Sequence, residues 1–199
     1  MSMNEGHYSR ITDALVNTGY IILEHTFNTD LIDKLYKCSK DESKYKRARI
    51  SNTQKSHIDK TRRSDKTQWI DEDNGTLSEY LSFTEGLREY LNRSLYLGLT
   101  YYESHFSIYE KGAFYEKHLD AFKGSSNRKV TTLLYLNEEW NESDAGELIL
   151  YDENNREIQR VLPKGNTMLV FLSDKFPHEV LKTEKKRHSI AGWFRVDKR

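Results

Sequence analysis

The chain contains one cysteine, Cys38, so neither an internal disulfide nor a cysteine-based zinc site can form. Cys38 sits in a helical pattern and reads as a small packing residue rather than a nucleophile. No charge of one sign dominates, since 31 Lys and Arg balance 31 Asp and Glu. A formal net charge of zero gives no global attraction to nucleic acid or to an anionic membrane. The local basic runs Lys44-Tyr45-Lys46-Arg47 and Lys185-Lys186-Arg187 read as solvated faces. Long apolar runs are also lacking, and none approaches the ~20 residues of a membrane span. The N-terminal stretch has no basic region followed by an apolar run and a cleavage site, so no signal peptide is expected. These absences point to a cytoplasmic protein without nucleic-acid or membrane partners.

What is present suits a folded domain with a modest core and a polar surface: 36% of residues are hydrophobic and 31% charged. Strong alternating segments argue against disorder, and 199 residues fit one domain spanning 1–199. The first half, about 1–98, reads as helical support. Ile11, Leu15 and Val16 mark a helix over 8–17 that Gly19 stops. Tyr20-Ile21-Ile22-Leu23 is a short strand. Thr29 or Asp30 caps a second helix carrying Leu31, Ile32, Leu35 and Tyr36 on one face. Residues 40–64 are polar and read as a long loop or mobile hairpin, a pattern typical of lids and binding loops. A strand over 63–70 and a helix over 77–95 follow.

From Tyr101 the period changes to two. Strands are expected over 101–109, 113–119, 129–137, 147–151, 156–161, 167–172, 178–182 and 188–196, most of them separated by turn signals such as Lys111-Gly112 and Asp152-Glu153-Asn154-Asn155. About eight closely spaced strands after a helical half predict an α+β, mainly β fold: a double-stranded β-helix, or jelly roll, over about 99–197 with N-terminal supporting helices.

His118-Leu119-Asp120 and His178 stand out within it. On a strand, residues i and i+2 share a face, so His118 and Asp120 can aim at one metal, and a later antiparallel strand can bring His178 alongside. Two imidazoles and one carboxylate leave up to three coordination positions open, the arrangement of non-haem Fe(II) oxygenases. A zinc site with His/Asp ligands is the bland alternative. Arg187 lies nine residues beyond His178 and opens an alternating strand on which Ser189, Ala191 and Trp193 share its face. A guanidinium among small residues fits a carboxylate bidentately, and Ala191 and Gly192 leave room for a small molecule.

These residues resemble a known family. The segment from Tyr109 to Trp193 looks like the 2-oxoglutarate/Fe(II)-dependent oxygenases, and within them like the prolyl 4-hydroxylase branch that includes the hypoxia-inducible-factor prolyl hydroxylases and their bacterial relatives. Arg63-Ser64-Asp65-Lys66-Thr67-Gln68-Trp69-Ile70 resembles that branch's Arg-Gly-Asp-x-x-x-Trp-Ile motif, and the likeness continues through Arg128, Tyr135-Leu136-Asn137, Gly146-Glu147-Leu148, Ser173-Asp174 and Pro177-His178-Glu179-Val180. The resemblance implies Fe(II) on His118, Asp120 and His178. It implies 2-oxoglutarate held by Arg187, with the Tyr135 hydroxyl as second donor and Tyr109 nearby. O₂ would be the second cosubstrate and ascorbate a reductant. Trp193 would line the target-proline pocket, Arg63, Asp65 and Trp69 would belong to a mobile finger loop, and Arg128 would pair with Asp65 and touch the peptide. Three positions depart from the family: Ser64 replaces a Gly, Ala191 a Thr, and Glu110 a frequent Pro. A carboxylate at Asp120 excludes a halogenase.

The function implied is hydroxylation of a prolyl residue in a protein substrate, with release of succinate and CO₂. Elongation factor Tu is one candidate substrate. The same chemistry on a free amino acid, a small metabolite or another side chain is the rival reading, and a non-catalytic metal-binding module is a rival of a different class.

Overall fold

The computed structural model describes residues 3–48, 50–52, 55–57, 62–70, 75–121 and 127–196. Three helices precede the main β region: α1 (Met3–Asn17), α2 (Thr29–Ser39) and α3 (Ser78–Leu95). Around and after them run β1 (Tyr20–Glu24), β2 (Lys46–Arg47), β3 (Ile50–Asn52), β4 (Lys55–His57), β5 (Lys66–Trp69), β6 (Tyr101–Tyr109), β7 (Tyr115–His118), β8 (Arg128–Tyr135), β9 (Leu148–Tyr151), β10 (Glu157–Val161), β11 (Thr167–Leu172), β12 (His178–Val180) and β13 (Arg187–Arg195). A seven-stranded sheet has the order β1-β11-β8-β13-β6-β5-β2, and a four-stranded sheet the order β10-β9-β12-β7. Both are antiparallel throughout. This is the jelly-roll architecture expected from the strand spacing.

Period-two alternation decides which residues face which layer. On the large sheet Phe106, Val130, Leu134, Met168, Val170, Ile190 and Phe194 pack against helix residues such as Ile11, Leu35, Leu87 and Leu91. Their odd-numbered neighbours Tyr109, Tyr135, Leu169 and Phe171 pack against Leu148, Leu150, Val161 and Val180 of the small sheet. Each such fully buried aliphatic or aromatic side chain contributes roughly 1.5–3 kcal/mol. Toward the open end of the sandwich the odd face turns polar, with Glu103, His105, Ser107, Thr131, Arg187 and Ser189 all buried. The functional site lies there.

Helix α1 lies close to α3 because Gly86 has no side chain. A Cβ there would stand 2.5 Å from the Tyr8 hydroxyl, which donates to the Phe83 carbonyl at 3.0 Å. Helix α2 is capped not by Thr29 or Asp30 but by Asn28, whose side-chain oxygen accepts from the Leu31 N–H at 2.8 Å. Asn28 has the extended backbone a cap needs, whereas Thr29 is already helical.

The polar stretch 40–64 resolves into parts. β2 adds to β5 and extends the large sheet, and β3 and β4 form a separate hairpin with Ile50 opposite His57. Residues 49, 53–54 and 58–61 of that expected loop lie outside the described residues. The strand expected over 63–70 is shorter, because the segment changes partners. Arg63 bridges to Tyr115 of the small sheet, whereas Lys66–Trp69 pair with β6 of the large one. The segment thus straddles the opening between the sheets.

Candidate active site

His118 ends β7 and His178 opens β12, and the two are directly paired in the ladder. The His118 Nδ1–H donates to the Glu116 carbonyl at 2.7 Å and the His178 Nδ1–H to the Phe176 carbonyl at 3.1 Å. A carbonyl can only accept, so both rings carry their proton on Nδ1 and present a bare Nε2. Each Nε2 stands 3.7 Å from one oxygen of Asp120, His118 from Oδ1 and His178 from Oδ2. Asp120 sits just past the end of β7 rather than within it. The same-face rule therefore describes His118 alone, and the carboxylate reaches the site from a bend. Stacking on Tyr115 fixes the His118 ring, and an edge contact with Phe171 fixes that of His178.

The three ligand atoms lie within 4.8 Å of one another. Burial, and next the neighbouring His178, hold His118 well below the usual imidazole range. Burial pushes the Asp120 carboxyl up, but His178, His118 and Arg128 outweigh it and bring it below its ordinary value. A depressed His118 beside an ionised Asp120 suits a bound cation.

A cavity of about 950 Å³ extends from this cluster. Arg187 lies in its wall, 1% exposed. Among the described residues its Nε and Nη2 have no hydrogen-bond partner, and Nη1 makes a long bond to Ser189 Oγ at 3.4 Å. The Tyr109 and Tyr135 rings flank it, each with its centroid 4.9 Å away. Burial drives both phenols up, so both stay protonated. The Tyr135 hydroxyl is buried without a well-aligned partner. A buried guanidinium with no acid beside it costs several kcal/mol, and a bound carboxylate relieves that cost.

Residues 104–195 match the family model described as the 2OG-Fe(II) oxygenase superfamily. Over nearly the whole chain the fold is similar to a prolyl-4-hydroxylase of Pseudomonas putida, with a TM-score of 0.86 and 34% identity, covering 96% of this chain and 100% of that one. The chain belongs to the 2OG-Fe(II) oxygenase superfamily. The oxygenase also shares its fold with a Trichoplax adhaerens prolyl hydroxylase solved with a hypoxia-inducible-factor peptide fragment, at TM-score 0.87 and 24% identity over 97% of this chain and 90% of that one. A curated relative, prolyl 3-hydroxylase OGFOD1 of Xenopus laevis, is 35% identical over 86 residues. That stretch is 39% of this chain and only 16% of the relative.

The residues present fit the family's cofactors. Two bare Nε2 atoms and a carboxylate suit Fe(II), and the unpaired Arg187 suits the distal carboxylate of 2-oxoglutarate. Arg63, Trp69, Tyr109, Arg128 and Trp193 line the same cavity.

Several expectations change on contact with the structure. Asp65 does not pair with Arg128. Its buried carboxylate is taken by Arg63 through Nε–Oδ1 at 2.8 Å and Nη2–Oδ2 at 2.7 Å, because the two side chains project from the same short turn. Arg128 instead donates to Glu103 at 3.0 Å and lies 3.8 Å over the Trp193 ring. Trp69 is 48% exposed and meets His105 edge-on at the cavity mouth. Gly192 does not make room for a ligand, since its side faces the helices, where Tyr102 fills the space. Ser64 replaces the family Gly with a function of its own, as its hydroxyl accepts from the Phe114 N–H at 3.0 Å.

Three buried polar residues were missed: Glu103, His105 and Thr131. Glu103 accepts from both Arg128 and Arg195. Burial, then the charge of Arg63, lowers His105 to about 4, so it is neutral. The available signal was the alternation Glu103-x-His105-x-Ser107, which sets polar residues on the face opposite Tyr102, Phe106 and Ile108.

Proposed function

We propose that this oxygenase hydroxylates a prolyl residue within a protein segment, at carbon 4. The carrying observation is the cavity mouth. Trp193, Trp69 and His105 form one aromatic wall, with Arg128 stacked on it and fixed by Glu103. The wall lies on the metal-cluster side of the pocket, and Trp193 is in reach of Asp120. Aromatic faces suit a pyrrolidine ring, and a positioned guanidinium suits peptide carbonyls. The Arg62–Ile70 segment, straddling the two sheets at the opening, favours an extended peptide over a free amino acid. The full-length likeness to the Pseudomonas putida enzyme supports the same reading.

Fe(II), when bound, would activate O₂ and couple decarboxylation of 2-oxoglutarate to insertion of oxygen into a C–H bond. The chain supplies the rest. His118, Asp120 and His178 would hold the metal. Arg187 and the Tyr135 hydroxyl would hold the distal carboxylate, with Tyr109 in the wall beside it. Burial of these groups excludes water. Arg63, held by Asp65, and Trp69 frame the peptide entrance. We read residues 1–199 as one catalytic domain, working in the cytoplasm with ascorbate as reductant. Among the described residues no helix is long and apolar enough to cross a membrane. Elongation factor Tu is the candidate substrate.

The test is incubation of candidate proline peptides with enzyme, Fe(II), 2-oxoglutarate and O₂, followed by succinate assay and amino-acid analysis. Succinate formed in step with 4-hydroxyproline supports the proposal. 3-Hydroxyproline overturns the position assigned, and peptide-independent turnover of a free amino acid overturns the substrate class.

A further inference from the structure

Asp120 offers two oxygens, and each faces a different imidazole at the same 3.7 Å. Nothing in that triangle chooses between one-oxygen and two-oxygen binding of a cation. The choice matters, because a chelating carboxylate occupies a coordination position that the cosubstrates need. The answer lies behind Asp120. Thr131 Oγ1 is 2.8 Å from Asp120 Oδ2, and Ser173 Oγ is 2.9 Å from Thr131 Oγ1. Thr131 is 1% exposed and Ser173 0%, so bulk water does not compete for these bonds.

The direction of the chain follows from valence. A carboxylate ligand has no proton to give, so the single Thr131 proton goes to Oδ2. Thr131 can then only accept from its other neighbour, so Ser173 donates to it. The β-branch of Thr131 stiffens its χ1. Backbone pairing fixes both ends: Thr131 lies in β8 opposite Phe171 and Trp193, and the Ser173 N–H donates to the Lys129 carbonyl at 3.0 Å.

We propose that Ser173 and Thr131 form a one-way hydroxyl relay that engages Asp120 Oδ2, leaves Oδ1 as the metal-binding oxygen, and so keeps a coordination position open for 2-oxoglutarate and O₂. Both are positioning residues, acting through Asp120. The inference rests on the metal-centre reading of the triad. It assigns to this chain the choice of how the carboxylate binds.

The test uses the whole chain loaded with Co(II), whose visible absorption responds to coordination number, and reads the affinity for 2-oxoglutarate without turnover. Thr131→Val keeps the shape and removes the proton. It should change the Co(II) spectrum and weaken 2-oxoglutarate binding, alongside the roughly 10–100-fold loss of metal affinity usual on losing a partner behind a metal ligand. Thr131→Ser restores the hydroxyl and should restore both readouts, which a merely structural role for the threonine methyl would not do. Ser173→Ala should shift both in the same direction, and carries the test alone if the valine variant does not fold. Wild-type spectrum and wild-type 2-oxoglutarate affinity in a folded Thr131→Val or Ser173→Ala protein would overturn the relay while leaving the metal centre intact. A wild-type protein that takes up no Co(II) would overturn the metal centre itself, and the relay with it.

Discussion

Replacing Arg187 with Met separates the cosubstrate role from any structural one, because the two predict opposite signs. In the free protein the guanidinium is 1% exposed, and among the described residues no acid lies against it. The Tyr109 and Tyr135 rings and Ser189 offset part of its burial cost, and a bound carboxylate supplies the rest. Methionine has a similar reach and no charge, so the free variant should be at least as stable as wild type, as when buried charges are replaced by apolar groups. With 2-oxoglutarate the order reverses. Removing one member of a buried charge pair costs about 2–5 kcal/mol, or roughly 30- to 5,000-fold in affinity. Thermal unfolding with Mn(II) in place of Fe(II) reads both effects. At a concentration of ligand about a hundredfold above the wild-type Kd, binding stabilises by about 2.7 kcal/mol. At roughly 2–4 °C per kcal/mol for a domain of this size, the wild-type Tm rises by about 5–11 °C. The same concentration is at most about three times the variant's Kd, worth under about 1 kcal/mol, so the shift there stays below roughly 4 °C. Lysine should recover part of it, since a point charge cannot form the bidentate fork. An unchanged ligand-induced shift in Arg187→Met, or a free variant several degrees less stable than wild type, would refute the reasoning.

Other perturbations discriminate as clearly. His178→Ala should bind Mn(II) more weakly by more than the roughly 10–100-fold typical of outer residues while still unfolding cooperatively, and wild-type affinity by calorimetry would remove His178 from the site. Gly192→Ala drives a Cβ into the Tyr102 hydroxyl, which is bonded to Tyr80 and to Thr132 at 2.7 Å each. That overpacking should cost about 1–3 kcal/mol in denaturant titration without changing 2-oxoglutarate affinity, since the collision is on the helix side. His188 is depressed to about 4, first by burial and then by Lys186. The unfolded chain therefore binds a proton that the folded one refuses between the ordinary imidazole value and about 4, and stability falls as pH falls through that window. His188→Gln should flatten the stability-versus-pH slope there by up to about 1.4 kcal/mol per pH unit, the worth of one proton. An identical slope in the variant would contradict this.

Much of the molecule was legible because the signals were redundant. The strands expected at 101–109 and 167–172 are found with those bounds, the second because six consecutive, mostly apolar residues fill both faces of a covered sheet. His118, His178 and Arg187 were legible because each begins or closes a strand, where period two still holds. Asp120 reaches the cluster for a reason that the same-face rule only half covers, since the chain has already left the strand. Asp65 shows a different limit. Which of several arginines takes a buried carboxylate depends on side-chain reach across a turn, and Arg63, two residues away, outcompetes Arg128. The Gly192 error has a general cause: alternation gives the two faces of a strand but not which face opens onto solvent, ligand or helix. Glu103 and Thr131 carry no local motif, and their meaning appears only when Arg128 and Asp120 are placed beside them; Ser173 lies within a motif, but its partner Thr131 shows only in the fold.

The central claim is that this metal cluster and Arg187 serve oxidation of a prolyl residue in a protein. The most direct measurement is quantitative mass spectrometry of a cell extract incubated with the enzyme, Fe(II) and 2-oxoglutarate, with succinate measured in the same reaction. The account predicts peptides one oxygen atom heavier, with the added oxygen on proline, formed in amounts matching the succinate released above the peptide-free background and absent with Asp120→Ala. Succinate release with no modified proline, or modified proline that persists in Asp120→Ala, would contradict it.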